Sequence, residues 1–193
     1  MRLLAPCFIV LATMLSCSPP DKPTYVITGT ADTIAKTNNI PPPAPDVTGH
    51  VSTIVTGATT PQQLIAYATT LTGTPYKYGS TDPQAGFDCS GFITYVFNHF
   101  KIAVPRTSMD FTYVQREVNV NDSKPGDLVL FTGTDSTIRV VGHMGIITSN
   151  AGGQVKFIHS TSGRANGVTE TALEPYYRGR YVKTIRIFPG NDN

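Results

Sequence analysis

Cys89, His143 and His159 have the side-chain types and surroundings needed for covalent acyl chemistry. After Cys89, the apolar residues Phe92, Ile93, Val96, Phe97 and Phe100 recur at helical spacing and form one stripe able to pack on a core. The helix they define is expected to begin at about Asp88, because Asp is a favoured N-cap. Cys89 then falls in the first turn, where unpaired backbone N–H groups and the helix dipole favour negative charge. That position predicts a thiol acidified below its usual value of about 8.5, and the thiolate is the reactive form. A small buried cysteine with no chemical role is the alternative reading of the same residue.

The four histidines divide into two groups. His50 lies in a Pro/Thr-rich stretch and His99 near the end of the Cys89 helix, and both are read as solvent-exposed. His143 shares a strand face with Gly145 and Ile147, and His159 shares one with Val155 and Phe157. A hairpin centred near Ala151 would set the two imidazoles directly opposite each other, since both lie equally far from that residue. A one-residue slip would spoil the pairing. Thiol and histidine pair together make a Cys-His-His set of nucleophile, base and orienting group. No close-spaced ligand motif suggests zinc, so neither a metal nor another cofactor is expected.

Positioning these groups requires a scaffold, and the chain supplies one after residue 59. Thr60 followed by Pro61 reads as a helix start, Leu64, Ile65, Ala68 and Leu71 as its apolar face, and Gly73 as its end. A turn-rich loop through Tyr76, Tyr78 and Gly79 leads to Cys89. Beyond the Cys89 helix, Pro105-Arg106-Thr107-Ser108 opens a short segment expected to be helical, and Pro125-Gly126-Asp127 turns into a strand from Leu128 to Phe131. Further strands are expected over 142–148, 155–160, 167–171 and 181–188, with Gly152-Gly153 as a turn. Helices first and strands afterwards predict an α+β domain over 60–193, with N-terminal helices packed on a central antiparallel sheet.

The N-terminal part reads differently. Arg2 and the apolar run from Leu3 to Leu15 have the form of a secretory signal over 1–16. Ser16-Cys17 resembles a bacterial lipobox, with Met14 where Leu is usual, so Cys17 is the expected lipidation site. Residues 17–59 are then a tether, whose roughly 40 residues would span on the order of 35 Å. Val51–Val55 and Tyr25–Thr30 have strand-like composition and are alternatives to pure tether. Cys7 leaves with the signal and Cys17 is acylated, so Cys89 has no disulfide partner. A lone thiol kept in an oxidising compartment strengthens the case for a chemical role. The formal charge of +2 and the absence of a basic run give no reason to expect a nucleic-acid partner.

In order along the chain, Tyr76–Gly79, Phe87-Asp88-Cys89-Ser90-Gly91-Phe92, Pro105-Arg106-Thr107-Ser108, Pro125-Gly126-Asp127-Leu128, Gly142-His143-Met144-Gly145-Ile146 and Phe157-Ile158-His159-Ser160 resemble the motifs of the NlpC family. These are papain-like cysteine peptidases of bacterial peptidoglycan. The run from His159 through Pro175-Tyr176-Tyr177 to Arg180-Tyr181 looks like the family's single-domain lipoprotein endopeptidases. The resemblance implies Cys89 as nucleophile, His143 as base and later acid, and His159 as the residue that orients His143. It implies a hydroxyl near the thiol from Tyr76, and a site for the free amine of a stem peptide at Asp88 and Ser90. Asp88 is equally read as the N-cap alone, Ser90 as a first-turn residue, Tyr76 as packing, and Arg106 as support for the fold. Phe111 stands where relatives often have Gln, and Tyr78 where many have Trp, which bears on substrate preference.

The expected activity is hydrolysis of amides in peptidoglycan stem or cross-link peptides by a monomeric, membrane-tethered lipoprotein. Ser18 is compatible with the outer membrane of a Gram-negative cell, facing the periplasm. The scissile bond is open between D-Glu to diamino acid and D-Ala to diaminopimelate. A papain-like amidase or acyltransferase and a non-catalytic wall-binding lipoprotein are the alternatives.

Overall fold

Thr60 begins the first helix, α1 (Pro61–Thr70), with a reciprocal capping box. Its hydroxyl accepts the Gln63 N–H at 3.2 Å, and the Gln63 side chain accepts the Thr60 N–H at 2.9 Å. In this computed structural model residues 53–114 and 116–192 are described, within a unit spanning Pro45–Asn193. The signal segment, Cys17 and the expected tether up to residue 52 lie outside the described residues. Packing begins upstream of Thr60: Ile54 is buried in the same core as α1, so the folded chain takes in part of the stretch expected to be tether.

A two-stranded ribbon, β1 (Thr81–Asp82) and β2 (Gly86–Phe87), delivers the chain to α2 (Cys89–His99). The expected stripe of α2 is buried: Phe92, Ile93, Val96 and Phe97 are all inaccessible to solvent, each contributing on the order of 2 kcal/mol. Phe100, at the C-cap, is only partly buried. His99 is exposed, as expected, and stacks on Tyr67 of α1 at 3.6 Å between ring centroids. The segment after Pro105 forms a single 3-10 turn, Asp110–Tyr113.

The remaining strands are β3 (Glu117–Val118), β4 (Leu128–Thr132), β5 (Val141–Ala151), β6 (Gln154–Thr161), β7 (Gly167–Ala172) and β8 (Tyr181–Ile185). They form one antiparallel sheet in the order β3-β8-β4-β5-β6-β7. The α+β architecture is as expected. One face, carrying Leu128, Leu130, Met144, Ile146 and Ile158, packs with the helices. The other, carrying Val129, Phe131, Ile147, Val155 and Phe157, is covered by Leu173 and Tyr177 from the connection between β7 and β8. Burial on both faces explains why β4 reads as a continuous apolar run from Leu128 to Phe131. The turn into β4 is pinned from below by Asp127, wholly buried, whose carboxylate lies 3.1 Å from Arg186.

Candidate active site

Asp88 caps α2 and does more besides. Its carboxylate accepts the Gly91 N–H at 2.5 Å and the Ser90 hydroxyl at 3.2 Å, and pairs with Arg106 at 2.8 Å. Arg106 also donates to the Ser90 hydroxyl at 2.9 Å. Asp88 and Ser90 are buried and belong to this closed network beneath the helix start; neither lines the cleft that contains Cys89. Fixing the first turn of α2 fixes Cys89, whose Sγ lies 3.9 Å from the Gly142 carbonyl, one residue before His143.

The thiol does not have the acidity expected of a helix N-terminus. Burial pushes the Cys89 thiol up, the Asp88 charge adds to that, and the N–H groups of Ser90 and Cys89 with the Arg106 cation only partly offset it. At rest Cys89 is therefore the protonated thiol, and acting as a nucleophile would require a base.

A candidate base, His143, sits on β5. His143 Nε2 and His159 Nδ1 are 2.7 Å apart, and His159 Nε2 is 3.0 Å from the Thr171 hydroxyl. Two tautomer assignments satisfy this chain, and one of them leaves His143 with a free lone pair. If His143 Nε2–H donates to His159 Nδ1, then His159 Nε2–H donates to Thr171, and His143 Nδ1 keeps a free lone pair for a thiol proton. The His143 ring is held by Phe131 and by Tyr177, which stacks on it at 5.9 Å and 23°. Burial, together with the His159 and Arg180 charges, holds His143 well below its ordinary value of 6.5. His159 is pushed down to about 3, first by burial and then by Arg180.

The pairing of the histidines differs from the expected one in register. The β5–β6 hairpin turns at Gly152-Gly153, with positive φ at both, rather than at Ala151. A bulge between Ile147 and Ser149 then shifts the ladder, so that Ile146 faces Ile158 and His159 falls level with Gly145. His143 and His159 are diagonal neighbours on one face. Gly145 makes room for them: a Cβ there would lie 3.2 Å from the His159 Cβ and 2.6 Å from Phe157 Cδ2.

Cys89, His143 and Tyr76 line one cleft of about 1020 Å³, while His159 lies behind His143. Burial, then the Cys89 and Asp88 charges, raise the Tyr76 hydroxyl, which keeps it protonated and able to donate. Thr171, Tyr177 and Arg180 also line the cleft and had no assigned role in the sequence reading. Tyr177 and Arg180 fall in the Pro175–Tyr181 run that carries part of the resemblance, but nothing in the sequence links Thr171 to a histidine on another strand. Tyr78 is almost fully exposed and does not line the cleft. Among the described residues no group of three or more His, Cys, Asp or Glu is disposed to hold a metal ion.

The NlpC/P60 family model matches residues 73–186, which contain every residue of the cleft. The chain is 33% identical over 129 residues to the gamma-DL-glutamyl hydrolase of Bacillus subtilis, covering 67% of this chain and 30% of that protein. It is 38% identical over 126 residues to the probable peptidoglycan endopeptidase LytE of the same organism, covering 65% of this chain and 34% of that one. The chain thus spans about a third of these relatives' length. Among solved structures, an NlpC/P60 family protein from Bacillus cereus superposes with a TM-score of 0.60 at 27% identity, covering 69% of this chain and 42% of that one. With the family match spanning more than half of its residues, this chain belongs to the NlpC/P60 family.

Proposed function

We propose that the chain is a cysteine peptidase that hydrolyses amide bonds in peptidoglycan stem or cross-link peptides, with Cys89, His143 and His159 as its catalytic set. The observation that carries the reading is the convergence in one cleft of a first-turn thiol and an imidazole whose Nε2 is held at 2.7 Å by a second imidazole. The name of one relative, a probable peptidoglycan endopeptidase, supports the substrate class, and that of another, a gamma-DL-glutamyl hydrolase, supports hydrolysis of a glutamyl amide.

The steps follow from the protonation states. Cys89 attacks the scissile carbonyl as His143 Nδ1 takes the thiol proton, forming the C–S bond and an oxyanion. The Cys89 backbone N–H and the Tyr76 hydroxyl stabilise that oxyanion. His159 Nδ1 accepts from the imidazolium's Nε2–H and holds the ring in position. The imidazolium then gives its proton to the leaving amine as the C–N bond breaks. Water, deprotonated by the same imidazole, cleaves the thioester and restores the thiol. A depressed His143 pKa makes the imidazolium a strong acid toward the departing amine.

The test is mass spectrometry of muropeptides incubated with the protein and with its Cys89→Ala variant. Fragments formed only by the wild type are expected, and their masses identify the bond. No cleavage of stem peptides or cross-linked dimers would overturn the proposal.

A further inference from the structure

The cleft is lined by two cations, Arg164 and Arg180, and by no Asp or Glu among the described residues. Arg180 differs from most arginines of the chain. Arg106, Arg116, Arg178 and Arg186 each face a carboxylate. Arg180 instead donates from Nε to the Gly133 carbonyl and from Nη2 to the Thr132 carbonyl, both at 2.9 Å, and lies 5.3 Å from the Tyr177 ring centroid. Those two carbonyls and the ring fix the guanidinium plane without neutralising it. Its Nη1 edge stays uncommitted, a planar fork suited to a carboxylate. The guanidinium lies in the same cleft as Cys89 and His143, against the Tyr177 ring that stacks on His143. Arg164, by contrast, is exposed on the loop between β6 and β7 and makes no ion pair among the described residues.

We propose that Arg180 is the carboxylate-binding residue of the cleft, and that the peptide processed at Cys89 presents a free carboxylate within a few bonds of its scissile amide. The inference rests on the peptidase reading above and narrows it. Both bonds left open by that reading satisfy the chemistry. A γ-linked D-Glu carries its free α-carboxylate on the acyl side, separated from the amide carbonyl by two methylenes and the α-carbon, and a diaminopimelate accepting a D-Ala carries a carboxylate on the carbon bearing the acylated amine. Amidation of that carboxylate removes the charge and one acceptor while changing the shape little, so it is the discriminating probe.

The experiment measures calorimetric binding of two pairs of synthetic peptides to the Cys89→Ala protein. One pair is L-Ala-γ-D-Glu-diaminopimelate as free acid and with the D-Glu α-carboxyl amidated; the other is a D-Ala-diaminopimelate cross-link dimer as free acid and amidated at the acceptor carboxyl. In at least one pair the acid is expected to bind about tenfold or more tightly than the amide, as a charge-assisted hydrogen bond requires. That preference is expected to vanish on adding Arg180→Gln and to survive Arg164→Gln. Equal affinity for acid and amide in both pairs, no binding of any peptide, or a preference lost with Arg164→Gln and kept in Arg180→Gln would overturn the inference. Because Arg180 also ties down Thr132 and Gly133, the acid–amide comparison with Arg180 intact decides even if the variant fails to fold. Hydrolysis of the same peptides by the wild-type protein separates the two levels. Equal cleavage of acid and amide leaves the peptidase and removes the Arg180 role, whereas discriminating binding without any cleavage keeps the carboxylate site and removes the peptidase.

Discussion

At Cys89 two local effects compete, and their magnitudes decide the protonation state. The helix N-terminus offers the sulfur two N–H groups, which is what the sequence could reveal. Against it stand burial, which is tertiary and therefore invisible in a local motif, and the carboxylate of the adjacent Asp88, which is in the motif but reads there as a cap. The same Asp88 that starts the helix thus raises the thiol. Alkylation measures the outcome directly. The rate with iodoacetamide is expected to climb with pH to a midpoint above the free-thiol value of about 8.5. Arg106→Gln, which removes a cation that favours the thiolate, is expected to move the midpoint higher still. A plateau already reached at pH 7 would show a resting thiolate and refute the base-activated mechanism.

At the level of elements, the histidine pair depends on parity. A hairpin closed at Gly152-Gly153 with an unbroken ladder would send His143 and His159 to opposite faces of the sheet. The single extra residue in β5, between Ile147 and Ser149, restores the shared face. The sequence-based register placed the turn too early and contained no bulge, and these two errors cancel in parity. The shared face was therefore legible, whereas the diagonal offset was not, because nothing in Ile147-Thr148-Ser149 announces a bulge. The offset puts a demand on Gly145 that direct opposition would not. In Gly145→Ala the new methyl meets the Ile158 carbonyl oxygen at 2.9 Å, a backbone atom that cannot swing aside, as well as Phe157. Urea unfolding is expected to show a loss of about 1–3 kcal/mol. Muropeptide turnover is expected to drop by about tenfold or more, mainly in kcat, because the strand shift moves His159 off His143. Unchanged kcat with the stability loss present would separate Gly145 from the site.

For the molecule as a whole, the α+β order and the sheet strands could be read from the sequence because each rests on local signals: Thr60 and Pro61, Asp88, Gly152-Gly153, and apolar runs. The covering of the second sheet face could not. It relies on Leu173, Tyr177 and Arg180, residues of an irregular connection whose position only the closed sheet defines. That second face also couples the site to global stability. His159 is inaccessible to solvent and His143 nearly so, beside the Arg180 cation, which no carboxylate among the described residues balances. In the unfolded chain both imidazoles titrate near 6.5; in the folded chain His143 lies well below that and His159 at about 3. Between those values the unfolded state binds more protons, so stability is full above about pH 6.5 and is lost as pH falls toward 3. The slope is about 1.4 kcal/mol per pH unit for each histidine held neutral. Set against a domain stability of roughly 5–15 kcal/mol, two such groups are enough to bring the protein close to unfolding in mild acid. Urea midpoints measured from pH 7 down to pH 4 are therefore expected to fall steeply for the wild type. They should fall much less in a His143→Asn, His159→Asn double variant, which has no imidazole to protonate there. Parallel pH profiles for the two proteins would mean that the histidine pair is not held neutral by the fold, and that the mechanism must start from a different protonation state.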